Sequence, residues 1–443
     1  MYFLFKILIR AATVLIPKKL TRKRVRSALL LAVQKKETQK KLRAVRRWQK
    51  KIKDSCKRKI SSGGRLKVAF LVCDASTFSA EPVFNKMLKD PLYECFIAVV
   101  PRLTRGDNFK NETLEKTYSE LSQKYGNAVS LFYDAKNDKA TSLLGKADIV
   151  FTSIIYEDQT CDDFTVETMS EYSLVALISY GYSGLFKANA EKTIFLPNII
   201  YSWKFFISNP QIRNLWISRN ALLSENAIVS GYAKMDRLHE FKISKSQNDR
   251  KKIILSPHHT LTKETDGLIL SNFLRFADFF LSLPERYPQI DFVFRPHPLL
   301  FPRLANDTWW GTEKTAQYKK KIESYPNVEF QQGGDYLETF AKSSAIIHDC
   351  GSFLAEYFYT GMPQCYLMNE KTENQFLPFG KKLLDYVYKA ETEMQILNFI
   401  DRIVLGDDDQ MQAERTRFAL ESICINYPNA TDKIVETISK ALS

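Results

Sequence analysis

The chain has 443 residues, 45% hydrophobic and 13% aromatic, with seven cysteines and a formal net charge of +14. That length exceeds one ordinary core and fits two domains plus an appendage, and that composition excludes a disordered chain. No two cysteines form a CxxC pair and several lie in apolar runs, so a disulfide framework is excluded and a reducing compartment expected.

Charge is unevenly placed. Residues 1–60 carry 21 Lys and Arg against Glu37 and Asp54, a net of +19, and the remainder is net −5. The apolar run 2–16 contains Lys6 and Arg10. It is shorter than the roughly 20 residues of a transmembrane helix, and it lacks the charge order and cleavage site of a signal peptide. It reads as a helix lying in the membrane interface, with Lys6 and Arg10 reaching outward. Pro17 ends it. The basic stretch 18–60 is rich in helix formers and places Leu42, Val45, Trp48 and Ile52 at roughly helical spacing. An apolar anchor followed by a polybasic segment is a two-signal arrangement for an anionic membrane surface. The expected location is therefore peripheral, on the cytoplasmic face of the cell membrane. Packing of the basic helix on the protein body is the alternative. Nucleic acid ranks last, since no binding motif for it follows, and none is expected as a partner.

Ser61-Ser62-Gly63-Gly64 reads as a linker, and an α/β series follows it. Strands are expected at 66–74, 94–100, 129–134, 147–153 and 174–180, with helices at 81–90 and 110–125. Residues 227–238 read as a strand, a glycine turn and a helix start, and the interdomain hinge is placed just after them. A second series follows, with strands at 252–257, 291–296, 328–330, 345–349 and 364–368. Helices are expected at 267–286, 313–324, 335–342 and 352–360, and further helices near 392–404, 408–425 and 431–442 close the chain. This gives a basic helical segment over 1–60, a Rossmann-like acceptor domain over 61–240, and a Rossmann-like nucleotide-donor domain with closing helices over 241–443. The expected fold class is α/β: two Rossmann-like domains facing a cleft, the plan called GT-B, with an N-terminal basic amphipathic helical appendage. No GxGxxG follows the first strand and no GxxxxGK[ST] is present, so a generic Rossmann oxidoreductase and P-loop chemistry are not supported.

Three motifs carry the chemistry: IILSPHHT (253–260), FVFRPHP (292–298) and IIHDCGSFLAEYFYTGMP (346–363). Each puts polar residues where a buried strand ends, and ligands of open parallel sheets bind beyond such ends. Four of the five histidines lie in them: His258, His259, His297 and His348. In the third motif a strand ends at His348-Asp349, Gly351 allows close approach of a ligand, and Ser352 can cap the next helix or bond phosphate. Glu356, one turn on, can accept bonds from ribose hydroxyls. In the second, Arg295 and His297 point the same way from an extended strand and suit an anion. In the first, His258 or His259 lines the site, and Thr260 can join it. The histidines also admit a zinc reading. It ranks below phosphate, because the surrounding residues suit an anion and His-x-Pro lacks helical ligand spacing.

In this order the motifs resemble those of the CDP-glycerol glycerophosphotransferases of teichoic acid and capsule synthesis, GT-B proteins that bind membranes peripherally. Pro257 matches the family's APT-type motif. His297 matches its Lys-x-His-Pro, with Arg295 in place of Lys. Asp349, Ser352 and Glu356 match its TDYSS-type turn, and Gly231, Asp236 and Leu238 match its Gly-x-Pro-Arg-x-Asp-x-Leu. The resemblance covers roughly residues 170–370. The family's N-terminal His-Gly is absent: SYGYSG, with Tyr180-Gly181, stands there, and no histidine precedes His239.

The resemblance implies transfer of glycerol phosphate, or a related polyol phosphate, from a CDP-activated donor to a hydroxyl of a lipid-linked or growing glycan. CMP leaves, and no metal or other cofactor is required. His297, Asp74 and His258 are the expected catalytic residues. Asp74 leads as general base, with Tyr180 second and His258 or His259 acting from across the cleft. Pro257, His259, Thr260, Arg295, His348, Asp349, Gly351, Ser352 and Glu356 are expected to bind the donor. A GT-B glycosyltransferase using a nucleotide sugar is the rival enzyme reading. A membrane-surface or nucleic-acid-binding protein acting through its basic arm is the non-enzyme reading.

Overall fold

The computed structural model describes residues 19–104, 106–188, 193–241, 250–262 and 267–443, with side chains from residue 36 onward. The expected interfacial helix at 2–16 lies outside the described residues. So do residues 242–249, into which the expected hinge runs.

Short apolar runs form two sheets. The first contains β1 (Leu66–Val72), β2 (Tyr93–Val99), β3 (Val129–Leu131), β4 (Ile149–Thr152), β5 (Leu174–Ile178), β6 (Lys204–Ile207) and β7 (Ala227–Val229). They lie in the order β3-β2-β1-β4-β5-β6-β7, all parallel. The second contains β8 (Lys252–Ser256), β9 (Asp291–Phe294), β10 (Val328–Phe330), β11 (Ala345–His348), β12 (Gln364–Leu367) and β13 (Tyr388–Ala390). Its order is β10-β9-β8-β11-β12-β13, again parallel. Both are doubly wound, and strand order reverses beside β1 and beside β8. Such a reversal opens a crevice at the carboxyl ends of the strands.

The two domains meet along those carboxyl ends. One apolar cluster holds Leu71 and Val150 of the first sheet together with Ile254 and Ile346 of the second. Arg237, after β7, pairs with Glu81 at 3.0 Å and with Asp335, after β10, at 2.8 Å. Two strands, β6 and β13, were not expected from sequence. The helix expected from 267 begins only at Phe273 (α3, Phe273–Arg286), because side chains pin the chain before it. Gln375 accepts the Ile269 N–H at 2.6 Å and Asp349 accepts that of Asn272 at 2.6 Å.

The basic stretch is one helix, α1 (Lys19–Ser61). Its last turns pack on the body, as their helical spacing of apolar residues dictates. Leu42, Val45 and Cys56 are buried, and the Gln49 amide donates to Tyr201 O at 2.8 Å. Lys41 and Lys59 pair with Glu167 and Asp148. Packing on the body is thus what this part of the helix does, while Lys36, Lys40, Arg43, Arg47, Lys50 and Lys51 stay exposed. No helix among the described residues is long and apolar enough to cross a membrane.

The chain's final helix (Ala430–Leu442) corrects the expectation that all the closing helices belong to the second domain. Its Ile434, Ile438 and Leu442 are buried with Val68, Phe70 and Phe84 of the first. Gly231 and Asp236 explain the docking. Asp236 accepts the N–H groups of Ala430 (3.3 Å) and Thr431 (2.7 Å). Gly231, at φ +84°, leaves room for the carbonyl of Ile425.

Candidate functional site

The three motif strands are neighbours, in the order β9-β8-β11, so their tips form one surface at the switch point of the second sheet. Bonds past the strand ends hold the tips in register. His297 N donates to Pro257 O at 3.0 Å, and the Ser256 hydroxyl donates to Arg295 O at 2.8 Å.

This brings three imidazoles together. Ring centroids lie 3.9 Å apart for His259 and His297, 4.3 Å for His258 and His259, and 5.1 Å for His258 and His297. Arg303 joins them, its guanidinium donating to His259 Nδ1 and, at 3.1 Å, to His259 O. Thr260 is buried beneath the cluster: its hydroxyl accepts the Leu270 N–H at 3.1 Å and lies 2.9 Å from His258 Nδ1. Burial, then the nearby His297, Arg303 and His348, hold His258 well below the usual histidine range. It is therefore neutral at ordinary pH.

Two other residues expected to bind the donor serve the scaffold instead. Asp349 is fully buried and spends its carboxylate on protein: His258 N donates to Oδ1 at 2.6 Å and Asn272 N to Oδ2 at 2.6 Å. It thereby fixes both the tip of β8 and the start of α3. Burial pushes its carboxyl up to about 6, against the pull of those N–H groups. The folded chain thus favours the neutral acid more than the unfolded chain does. Stability should accordingly fall as pH rises from the ordinary carboxylate range through about 6. Asp349→Asn turns an NH₂ toward one of two backbone donors and should cost about 2–3 kcal/mol, read as a lower denaturant midpoint. An unchanged midpoint would remove Asp349 from this role. His348 is likewise buried, its Nδ1 accepting Cys350 N–H at 3.2 Å and its Nε2 lying 3.2 Å from the side-chain Oε1 of Gln364. Burial lowers it to about 4. Both faces of β11 are covered, so the residues at its tip are buried whichever face they take.

Arg295 is engaged by the protein itself. The Arg295 guanidinium is 5% exposed and donates to Gln331 (2.7 Å), Gly333 O (2.8 Å) and Gly334 O (2.6 Å), so it holds the loop after β10. Gly351 does permit a close approach, but by protein: a Cβ there would meet the Phe186 ring at 2.5 Å. Phe186, after β5, covers the start of the short helix α4 (Gly351–Glu356). Cys350, not Ser352, takes the capping position and makes no side-chain cap, while Ser352 sits half-buried behind it.

Glu356 is 1% exposed and accepts hydroxyls from both domains, from Tyr232 at 3.2 Å and from Tyr336. Burial raises its carboxyl, opposed by Lys234 and the two tyrosines. Its oxygens already have the partners that a ribose would replace. Asp74 caps the turn after β1, accepting Ser76 N at 3.0 Å and Ser76 Oγ at 2.7 Å, and pairs with Arg102 at 3.4 Å. Tyr180 is exposed, and its carbonyl accepts the Tyr232 hydroxyl at 3.1 Å. Sequence reasoning missed Arg303, Tyr232 and Tyr336. Arg303 lies six residues past His297, in the short helix Leu300–Leu304, but only the fold aims it at His259.

No family profile and no curated protein sequence matches this chain. Solved structures do resemble it. The UDP-GlcNAc 2-epimerase of Neisseria meningitidis bound to UDP-GlcNAc is 15% identical, with 85% of this chain and 100% of that one covered and a TM-score of 0.52. The S. aureus MnaA–UDP structure is 14% identical, with coverage of 85% and 97% and a TM-score of 0.53. The wall teichoic acid polymerase TagF is 14% identical, with coverage of 85% and 88% and a TM-score of 0.56. The fold is GT-B. At these identities the likeness fixes architecture alone, and the neighbours include both epimerases and a polymerase.

Proposed function

We propose that the protein transfers glycerol phosphate, or a related polyol phosphate, from a CDP-activated donor to a hydroxyl of a lipid-linked or growing cell-surface glycan. One observation supports this most: the imidazoles of His258, His259 and His297, with Arg303, gather at the switch point of the second sheet, the place where doubly wound sheets take their ligands. TagF, of like fold, also bears on this reading. In the proposed reaction the acceptor oxygen attacks the β-phosphorus, the bond from that phosphorus to the bridging oxygen breaks, and CMP leaves with the electron pair. His297 donates a hydrogen bond to the charge that develops on phosphate oxygens. Asp74, at a strand tip of the first sheet, takes the proton of the acceptor hydroxyl. The exposed basic face of α1 would hold the protein at an anionic membrane surface, on the cytoplasmic side, where a lipid-linked acceptor is presented.

The test is nucleotide release with CDP-glycerol, CDP-ribitol and a panel of UDP- and GDP-sugars, using membrane extract as acceptor. Acceptor-dependent CMP from a CDP-polyol is the expected result. UDP or GDP release alone would replace the reading with a nucleotide-sugar enzyme on the same fold.

A further inference from the structure

The first sheet reverses its strand order beside β1, and polar groups at that crevice are left unspent by the protein. Asp74 follows β1, Arg102 follows β2 and Thr160 lies in the loop after β4, so all three come from adjacent strand tips. Leu103 N–H donates to Gln159 O at 3.0 Å, which joins the loops after β2 and β4 at one point. Arg102 and Thr104 flank that bond in one loop, and Thr160 follows it in the other. Among the described residues, Arg102 Nε, the Thr104 hydroxyl and the Thr160 hydroxyl are buried and have no partner. Thr160 as a whole is 3% exposed. The Arg102 guanidinium makes one polar contact among the described residues, with Asp74 at 3.4 Å. A well-made charge-assisted bond is shorter, at roughly 2.8 Å.

A buried polar group without a partner is costly and calls for an explanation. Here a guanidinium and two hydroxyls, all able to donate, stand where doubly wound sheets take ligands. Their common fit is an anion, and a guanidinium matches phosphate in shape as well as in charge. The carboxylate that faces Arg102 is Asp74, whose Oδ1 already accepts from Ser76. Whatever Arg102 holds therefore lies beside the hydroxyl that Asp74 deprotonates.

We propose that Arg102, Thr104 and Thr160 bind a phosphate group carried by the acceptor, close to its attacking hydroxyl. The inference rests on the transferase reading, from which it takes Asp74 as base, and it adds the chemistry of the acceptor. As Asp74 gains the hydroxyl proton it loses its charge, and the guanidinium is left to the phosphate alone. Loss of that charge-assisted bond should weaken acceptor binding roughly ten- to hundredfold.

The probe is diglyceryl phosphate, two glycerols joined by a phosphodiester. Diglycerol, joined by an ether, is its uncharged counterpart. Binding of each to the full chain is followed by ligand-observed NMR without nucleotide, and CMP release with each as acceptor gives kcat/KM. The unaltered protein should favour diglyceryl phosphate by roughly tenfold or more in both measurements. Arg102→Gln should bring that ratio close to one, and Arg102→Lys should keep part of it. Because the ratio compares two acceptors, any effect of Arg102 on Asp74 itself cancels. Thr160→Val should reduce the ratio severalfold without lowering the melting temperature, since the hydroxyl it removes bonds nothing in the protein. Equal binding of the two compounds, as water in the same gap would give, or a ratio unmoved in both Arg102→Gln and Thr160→Val, would overturn the site. Preferential binding without CMP release from any CDP-polyol would sink the transferase reading and leave the site standing. CMP release with no preference between the acceptors would do the reverse.

Discussion

Gly231→Ala should lower stability by about 3–5 kcal/mol, among the largest effects of any single methyl in the chain. Two costs combine. The residue sits at φ +84°, a conformation that costs an L-residue roughly 1–2 kcal/mol. The added Cβ would also lie 2.0 Å from the Ile425 carbonyl oxygen and 3.0 Å from Ala430 Cβ, in the segment that returns the last helix to the first domain. The oxygen is backbone, so no side-chain rotation relieves the contact. Gly63 supplies the control: its φ is +75°, and a methyl added there would meet nothing within 4 Å. Gly63→Ala should therefore cost only about 1 kcal/mol, from the backbone alone. The comparison is made by denaturant midpoint and by protease cleavage near residues 425–430. Equal effects at the two glycines would mean that the Ile425 segment moves aside freely, and that Gly231 and Asp236 do not dock the helix.

Much of this architecture was legible because parallel strands buried on both faces leave unbroken apolar runs, and LKVAFLV and KIILS are such runs. The adjacency of the three motifs also followed from general rules: each ends a strand, and doubly wound sheets gather their first, second and fourth strands. What stayed hidden was direction. Sequence shows that His348 and Asp349 end a strand, but their burial depends on Gln364, Tyr366 and Asn272, up to 77 residues distant in the chain. Arg295 read as an anion ligand because no local signal announces that Gln331, Gly333 and Gly334 would surround it. Gly231 and Asp236 matched a motif that by itself gave them no role. They dock a helix whose partner residues lie almost two hundred positions later. Arg303 illustrates the opposite error: an unremarked arginine in FPRL becomes part of the site only through contact with His259.

His297→Asn should lower turnover roughly a hundred- to a thousandfold while leaving the fold intact. The asparagine carbonyl falls near the place of Nδ1 and can still accept the Leu299 N–H, which the histidine takes at 3.1 Å. The turn into the following helix should thus survive, and the melting temperature should change little. What asparagine lacks is the N–H at the far side of the ring, the group assigned to the phosphate oxygens. If that bond forms chiefly in the transition state, kcat and kcat/KM should fall together. A rise in KM alone would assign His297 to ground-state binding. His297→Gln reaches further and can present an amide N–H near the lost one, so it should recover part of the rate. The measurement is steady-state CMP release with the CDP-polyol that the donor panel selects. Turnover by His297→Asn within about twofold of the unaltered protein would remove His297 from the reaction and, with it, the strongest reason to place the transferred phosphate at the tips of β8 and β9.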